Sequence, residues 1–118
     1  MNIAIKSTNI ELTEALQDYT EKRLSGIAKF AGGEAMVRVE IGKTTGHHKH
    51  GDVFVAEVNV TTALGRQYRA VSEKNDLYEA IDDVRGEIIN TLSGDKDRSQ
   101  TLFRRGAAKI KNMLKGFK

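Results

Sequence analysis

His47, His48 and His50 stand together near the middle of the chain, and imidazole is the commonest metal ligand in proteins. Two or three such rings could hold a transition metal. No cysteine accompanies them, and Asp52 is the one close carboxylate. The cluster sits in a polar stretch from Gly42 to Gly51, so a solvent loop is the preferred reading over a metal site. Asp82 and Asp83 are adjacent, and on a helix neighbouring positions diverge by about 100°. They therefore form no general acid–base dyad, and with Glu79 and Glu87 they read as a solvated acidic face. Gly32-Gly33 lacks the downstream Gly and Lys of a phosphate-binding loop. The absence of cysteine removes disulfides, thiolate metal sites and a cysteine nucleophile together. The chain supplies no catalytic constellation, metal site or cofactor site, and it reads as a non-enzyme.

Its basic residues say more. The net charge of +3 conceals an uneven distribution. Residues 1–95 hold 11 Lys/Arg against 15 Asp/Glu, a balance of −4, whereas residues 96–118 hold 8 against the single acid Asp97, a balance of +7. An acidic body with a basic tail is a pattern associated with nucleic-acid or membrane contact. In the tail Phe103, Ala107, Ile110, Leu114 and Phe117 recur at offsets of four and three, a helical apolar stripe. Around the stripe lie Arg104, Arg105, Lys109, Lys111, Lys115 and Lys118. Lysine and arginine tracking phosphates give salt-sensitive, sequence-independent affinity, and structured RNA is read mainly by shape. The same helix could pack on the body, associate with a second copy, or lie on an anionic membrane. Further RNA-contact candidates are Lys22, Arg23 and Lys29, interspersed with acids, and Arg66, Arg69 and Arg85.

Hydrophobic periodicity outlines the elements that would position these groups. Ile3 and Ile5 alternate with Asn2, Ala4 and Lys6 in a short first strand. Thr13 is the expected N-cap of a helix over 14–31, with Glu14 in its first turn. Leu16, Thr20, Leu24, Ile27 and Ala31 form its stripe, Tyr19 and Phe30 lie beside it, and Gly32-Gly33 ends it. Val37, Val39 and Ile41 mark a half-buried second strand. In the third strand Phe54, Ala56, Val58 and Val60 share one face, and Val55, Glu57, Asn59 and Thr61 the other. Ala63-Leu64-Gly65 reads as a hairpin loop with Gly65 at positive φ. The fourth strand, over 66–73, sets Tyr68 and Ala70 opposite Arg69 and Val71. Asp76 and Glu79 have capping-box spacing. A second helix follows with Leu77, Ile81, Val84, Ile88 and Leu92 on its stripe, Tyr78 adjacent and Gly94 closing it.

The order β-α-β-β-β-α predicts an α+β two-layer sandwich, a four-stranded sheet with two helices on one face, plus a basic C-terminal helix. The expected organisation is an α+β domain over 1–94, a polar linker over 95–102 and the amphipathic helix over 103–118. At 118 residues one compact domain is expected. The N-terminus has no long apolar h-region of a signal peptide, and no apolar run nears the ~20 residues of a membrane-spanning helix. A soluble cytoplasmic protein is expected.

Several segments together resemble the ribosome hibernation-promoting factors and ribosome-associated inhibitors. These are Ile3-Ala4-Ile5, the run from Asn9 to Leu16, Lys22-Arg23-Leu24, Lys29-Phe30, and the run from Asn75 to Asp82. The resemblance covers about residues 1–92. It implies a fold related to double-stranded-RNA-binding domains. It also implies binding in the mRNA and tRNA channel of the small subunit, mainly to rRNA, and translation blocked by occupancy without a reaction. Lys22, Arg23 and Lys29 match basic positions of the family's first helix. The family's last helix usually ends in a run of Lys and Arg. Here Val84 to Leu92 contains one arginine, Arg85, and one acid, Glu87. Gly86 also weakens that helix by roughly 1 kcal/mol relative to alanine. The chain resembles the family's short form with an unusual tail, without the separate dimerisation domain of the long forms.

For the histidine loop the expectation is specific. Replacing His47, His48 and His50 together with Ala should leave ribosome binding and the melting temperature nearly unchanged, since exposed substitutions usually cost within about 0.5 kcal/mol. A large fall in melting temperature with loss of a bound metal would show the loop to be a structural metal site.

Overall fold

The computed structural model describes residues 1–44 and 51–94. The histidines at 47, 48 and 50, the linker over 95–102 and the helix expected over 103–118 lie outside the described residues. Within them the chain forms β1 (Asn2–Thr8), α1 (Glu14–Leu24), a 3-10 turn (Ser25–Ile27), α2 (Ala28–Ala31), β2 (Met36–Lys43), β3 (Phe54–Thr61) and β4 (Gln67–Lys74). A last helix, α3, follows over residues 77–94.

The strands make one sheet in the order β1-β2-β3-β4. β1 pairs parallel with β2, and both later pairings are antiparallel. α1 and α2 therefore form the crossover that a parallel neighbour requires. Alternation decides which side chains enter the core. Val37, Val39 and Ile41 of β2, Ala56, Val58 and Val60 of β3, and Ala70 of β4 are buried. They pack with Leu16, Leu24 and Ile27 below and with Ile81, Val84, Ile88 and Leu92 of α3. Both helical segments thus cover one face, and the expected α+β sandwich is the observed fold. β1 and β2 approach closely at Gly42, where an added Cβ would lie 2.4 Å from the Thr8 carbonyl oxygen.

The helix starts follow the cap residues. The Thr13 hydroxyl accepts from the Leu16 amide at 3.2 Å. The Asp76 carboxylate accepts from the amides of Tyr78 at 2.7 Å and Glu79 at 3.3 Å. Each satisfies first-turn donors that have no partner within the helix. Gly65 takes the positive φ expected of it, 83°, and its amide donates to the Thr62 carbonyl at 2.9 Å.

Two expectations about the helices are corrected. The continuous helix over 14–31 is broken at Ser25–Ile27. An unbroken helix would send the amides of Gly26 and Ile27 to the carbonyls of Lys22 and Arg23. The Ser25 hydroxyl takes the Lys22 carbonyl at 2.8 Å, and Arg85 Nε takes the Arg23 carbonyl at 2.7 Å. Side-chain donors thus occupy the carbonyls that the ladder would use, next to a glycine that already disfavours helix by about 1 kcal/mol. Gly94, expected to close α3, is itself helical.

The acidic face of α3 is also not simply solvated. Asp82 Oδ1 accepts from the Tyr19 hydroxyl and from Arg23 Nε, both at 2.7 Å. The rings of Tyr19 and Tyr78 meet edge to face, with centroids 4.8 Å apart. At the next position, Asp83 accepts from the buried Ser72 hydroxyl of β4 at 2.6 Å. Glu79 and Glu87 remain exposed as expected.

Partial burial acts to raise the Asp82 pKa, but the hydrogen bonds from Tyr19 and Arg23 and the charges of Arg23 and Arg85 outweigh it and hold the group below the usual carboxylate range. A carboxyl depressed on folding stabilises the fold above its unfolded pKa, and that stability is lost as pH falls through the folded value. Asp82→Asn should therefore lower stability at neutral pH. The site is half-exposed and screened, so the loss should be about 1 kcal/mol, or about 4–8 °C in melting temperature. The gap between wild type and variant should narrow as pH falls below about 4. A gap that is constant with pH in thermal melts would show that the carboxylate charge is not what holds α1 to α3.

Candidate nucleic-acid interface

The basic side chains divide between the two layers of the sandwich. In the helical layer, Lys22 and Arg23 occupy the last turn of α1, and Lys29 the last turn of α2. Cations there complement the negative end of a helix dipole. Arg23 is committed to Asp82. Arg85 spends its Nε on the Arg23 carbonyl. The fold thus brings Arg23 and Arg85 together as the join between α1 and α3. Lys22 and Lys29 are exposed. The six cations of the tail, from Arg104 to Lys118, lie outside the described residues.

Arg69 belongs to β4 and Arg66 to the hairpin loop just before it, away from the helical group. Arg69 Nε forms an ion pair with Glu57 Oε1 at 2.7 Å across the β3–β4 ladder. Asn59 Nδ2 donates to the same oxygen at 3.2 Å. These two hydrogen bonds, Arg69 first, hold the Glu57 carboxyl below its ordinary range despite some desolvation. Arg66 lies in the hairpin, where its amide donates to the Thr62 hydroxyl at 3.2 Å.

The sheet face turned away from the helices carries two cations that the sequence reading passed over, Lys6 and Arg38. Both are exposed. Arg38 stands in line with Asn59 and Arg69, because Arg38 pairs with Asn59 and Asn59 with Arg69. The alternation Val37-Arg38-Val39 already placed Arg38 on the outer face. The missing signal was strand register, which juxtaposes it with Arg69. An open groove of about 550 Å³ lies here, lined by Arg38, Asn59, Thr61, Gln67 and Arg69 among others.

Among the described residues, no group of three or more His, Cys, Asp or Glu side chains is placed to hold a metal, and no helix is long and apolar enough to cross a membrane. Cationic side chains stand on both layers of the sandwich, Lys22 and Lys29 on one and Lys6, Arg38 and Arg69 on the other.

Known proteins give this arrangement a setting. The family model described as sigma 54 modulation protein / S30EA ribosomal protein matches residues 3–100. The N-terminal domain of Thermus thermophilus Protein Y is similar at 30% identity, covering 78% of this chain and 96% of that one, with a TM-score of 0.66. A ribosomal subunit interface protein from Coxiella burnetii shares the fold at 21% identity, covering 82% and 99%, with a TM-score of 0.66. No curated protein matches the chain. A family match across nearly all of the described fold, with a relative at this identity, agrees with the resemblance carried by the β1, α1 and α3 segments: the chain belongs to the sigma 54 modulation protein / S30EA ribosomal protein family.

Proposed function

We propose that this protein is a ribosome-binding translation inhibitor of the hibernation-factor type. It binds the small subunit in the mRNA and tRNA channel, mainly through rRNA, and blocks translation by occupancy without a reaction. The observation that carries this reading is the family match over residues 3–100, supported by a structural relative described as a ribosomal subunit interface protein. Membership of a family of ribosome-associated factors supports a role without catalysis for this chain. Its polar groups are arranged for pairing and for contact with anions, and it acts in the cytoplasm, where ribosomes are.

The distribution of charge indicates where such contact falls. α3 presents one arginine between Val84 and Leu92, and that arginine is turned onto α1. Lys22 and Lys29 remain available in the helical layer. The larger supply is the tail, with Arg104, Arg105, Lys109, Lys111, Lys115 and Lys118. The tail thus takes over the phosphate contacts that a basic end of α3 would otherwise make, and its apolar stripe remains available to pack on the body or on a second copy.

In cell-free translation the purified protein should inhibit in proportion to ribosomes, approaching completion near one molecule per ribosome. Inhibition far below that ratio, persisting after the protein is removed, would indicate an enzyme instead. Changing the six tail cations to Gln should leave the melting temperature of the body unchanged and weaken small-subunit binding in sucrose gradients. It should also reduce the slope of log affinity against log salt by up to roughly 5, since each phosphate contact contributes about 0.9. An unchanged affinity and slope would remove the tail from the RNA interface.

A further inference from the structure

The outer face of the sheet is divided by its register into two unlike halves. One half consists of two successive rungs, Asn2–Met36–Thr61–Gln67 and Ala4–Arg38–Asn59–Arg69. It contains no carboxylate, two guanidinium groups, and the amide or hydroxyl groups of Asn2, Thr61, Gln67 and Asn59. The next two rungs, Lys6–Glu40–Glu57–Val71 and Thr8–Gly42–Val55–Glu73, contain three carboxylates and one lysine. The halves meet where Arg69 reaches Glu57. Arg38 is exposed and forms no ion pair among the described residues, and the open groove lies between it and Arg69.

We infer that this carboxylate-free half of the outer sheet face is a second RNA-contact surface, which takes the phosphodiester backbone of an RNA segment across Arg38 and Arg69. Strands are about 4.8 Å apart, so the two arginine Cα atoms are separated by two strand spacings, about 10 Å. Their side chains can therefore bracket a backbone lying in the groove. Guanidinium groups engage phosphate through paired N–H donors, and Asn59, Thr61 and Gln67 supply further polar contacts to phosphate and sugar. The rungs carry no aromatic side chain, so the contact is with the backbone and not by base stacking. The adjoining glutamates of the other half repel the strand and confine it to one side. This surface lies opposite the helical layer, so the protein would sit between two RNA segments, one against each layer. The rRNA identity of the ligand rests on the function proposed above; the phosphate chemistry of the face does not.

The test uses the full chain, a 12-nucleotide oligouridylate and isolated small subunits. Arg38→Gln is the cleanest variant, because Arg38 forms no ion pair among the described residues. The Arg38→Gln, Arg69→Gln double variant removes both groups. Each arginine lost should lower the salt slope for the oligonucleotide by about 0.7, the contribution of one contact to a single strand, with affinity falling accordingly. Glu57→Gln, which removes the charge opposing Arg69, should tighten binding, a gain that misfolding cannot imitate. On small subunits the double variant should weaken binding in addition to the loss caused by neutralising the tail. Unchanged slope and affinity for Arg38→Gln, or capture of polyglutamate without oligouridylate, would overturn the inference. Oligonucleotide affinity and salt slope unmoved by the sheet variants, with small-subunit binding by wild type intact, would overturn this surface alone. An intact response with no small-subunit binding by wild type would overturn the ribosomal reading alone.

Discussion

One carboxylate organises the helical layer. Asp82 receives the Tyr19 hydroxyl and the Arg23 guanidinium, and Arg85, on the same helix, reaches back to the Arg23 carbonyl. Core burial alone would place both helices on the sheet, because Leu24, Ile27, Ile81, Val84 and Ile88 are fully buried. Apolar packing is non-directional, however, whereas charge-assisted hydrogen bonds fix geometry. The Asp82 contacts set α1 against α3. The Arg85 contact also diverts the carbonyl that would have continued α1, and so helps to bend the chain at Ser25–Ile27.

This join has a consequence for function. Two of the four cations proposed for RNA in the helical layer are used internally, and a surface ion pair attracts a third charge less than an unpaired cation does. What remains in the body is dispersed: Lys22 and Lys29 among the helices, Arg38 and Lys6 on the opposite face, with Arg69 shared with Glu57. A net −4 over residues 1–95 is a poor base for phosphate binding unless the cations are segregated from the acids. The sequence segregates them along the chain, into the tail. The register segregates them across the sheet, into the two carboxylate-free rungs.

What could be read in the sequence was whatever depends on near neighbours. The inward faces of β2 and β3 followed from alternation, the stripes of α1 and α3 from helical spacing, the helix starts from Thr13 and Asp76, and the hairpin from Gly65. What could not be read depends on distant pairs. Tyr19 and Asp82 are 63 positions apart, and Arg23 and Asp82 are 59, so nothing local marked Asp82 as other than an exposed helix acid. The break at Ser25 was concealed for the same reason, since Arg85 supplies part of it from 62 positions away. Arg38 was visible as an outward residue, but its alignment with Asn59 and Arg69 required the pairing of β2, β3 and β4. The family motifs, by contrast, lie in short runs, and the chain's kinship was legible before its geometry.

Occupancy of the mRNA and tRNA channel of the small subunit, as proposed, would be made through contacts to rRNA. Chemical footprinting of small-subunit rRNA with saturating protein addresses it directly. Protections should concentrate on the nucleotides that line the mRNA and tRNA channel and be lost when mRNA and tRNA are bound first. Protections elsewhere on the subunit, undiminished by mRNA and tRNA, would contradict it, as would an unchanged reactivity pattern with the protein in excess.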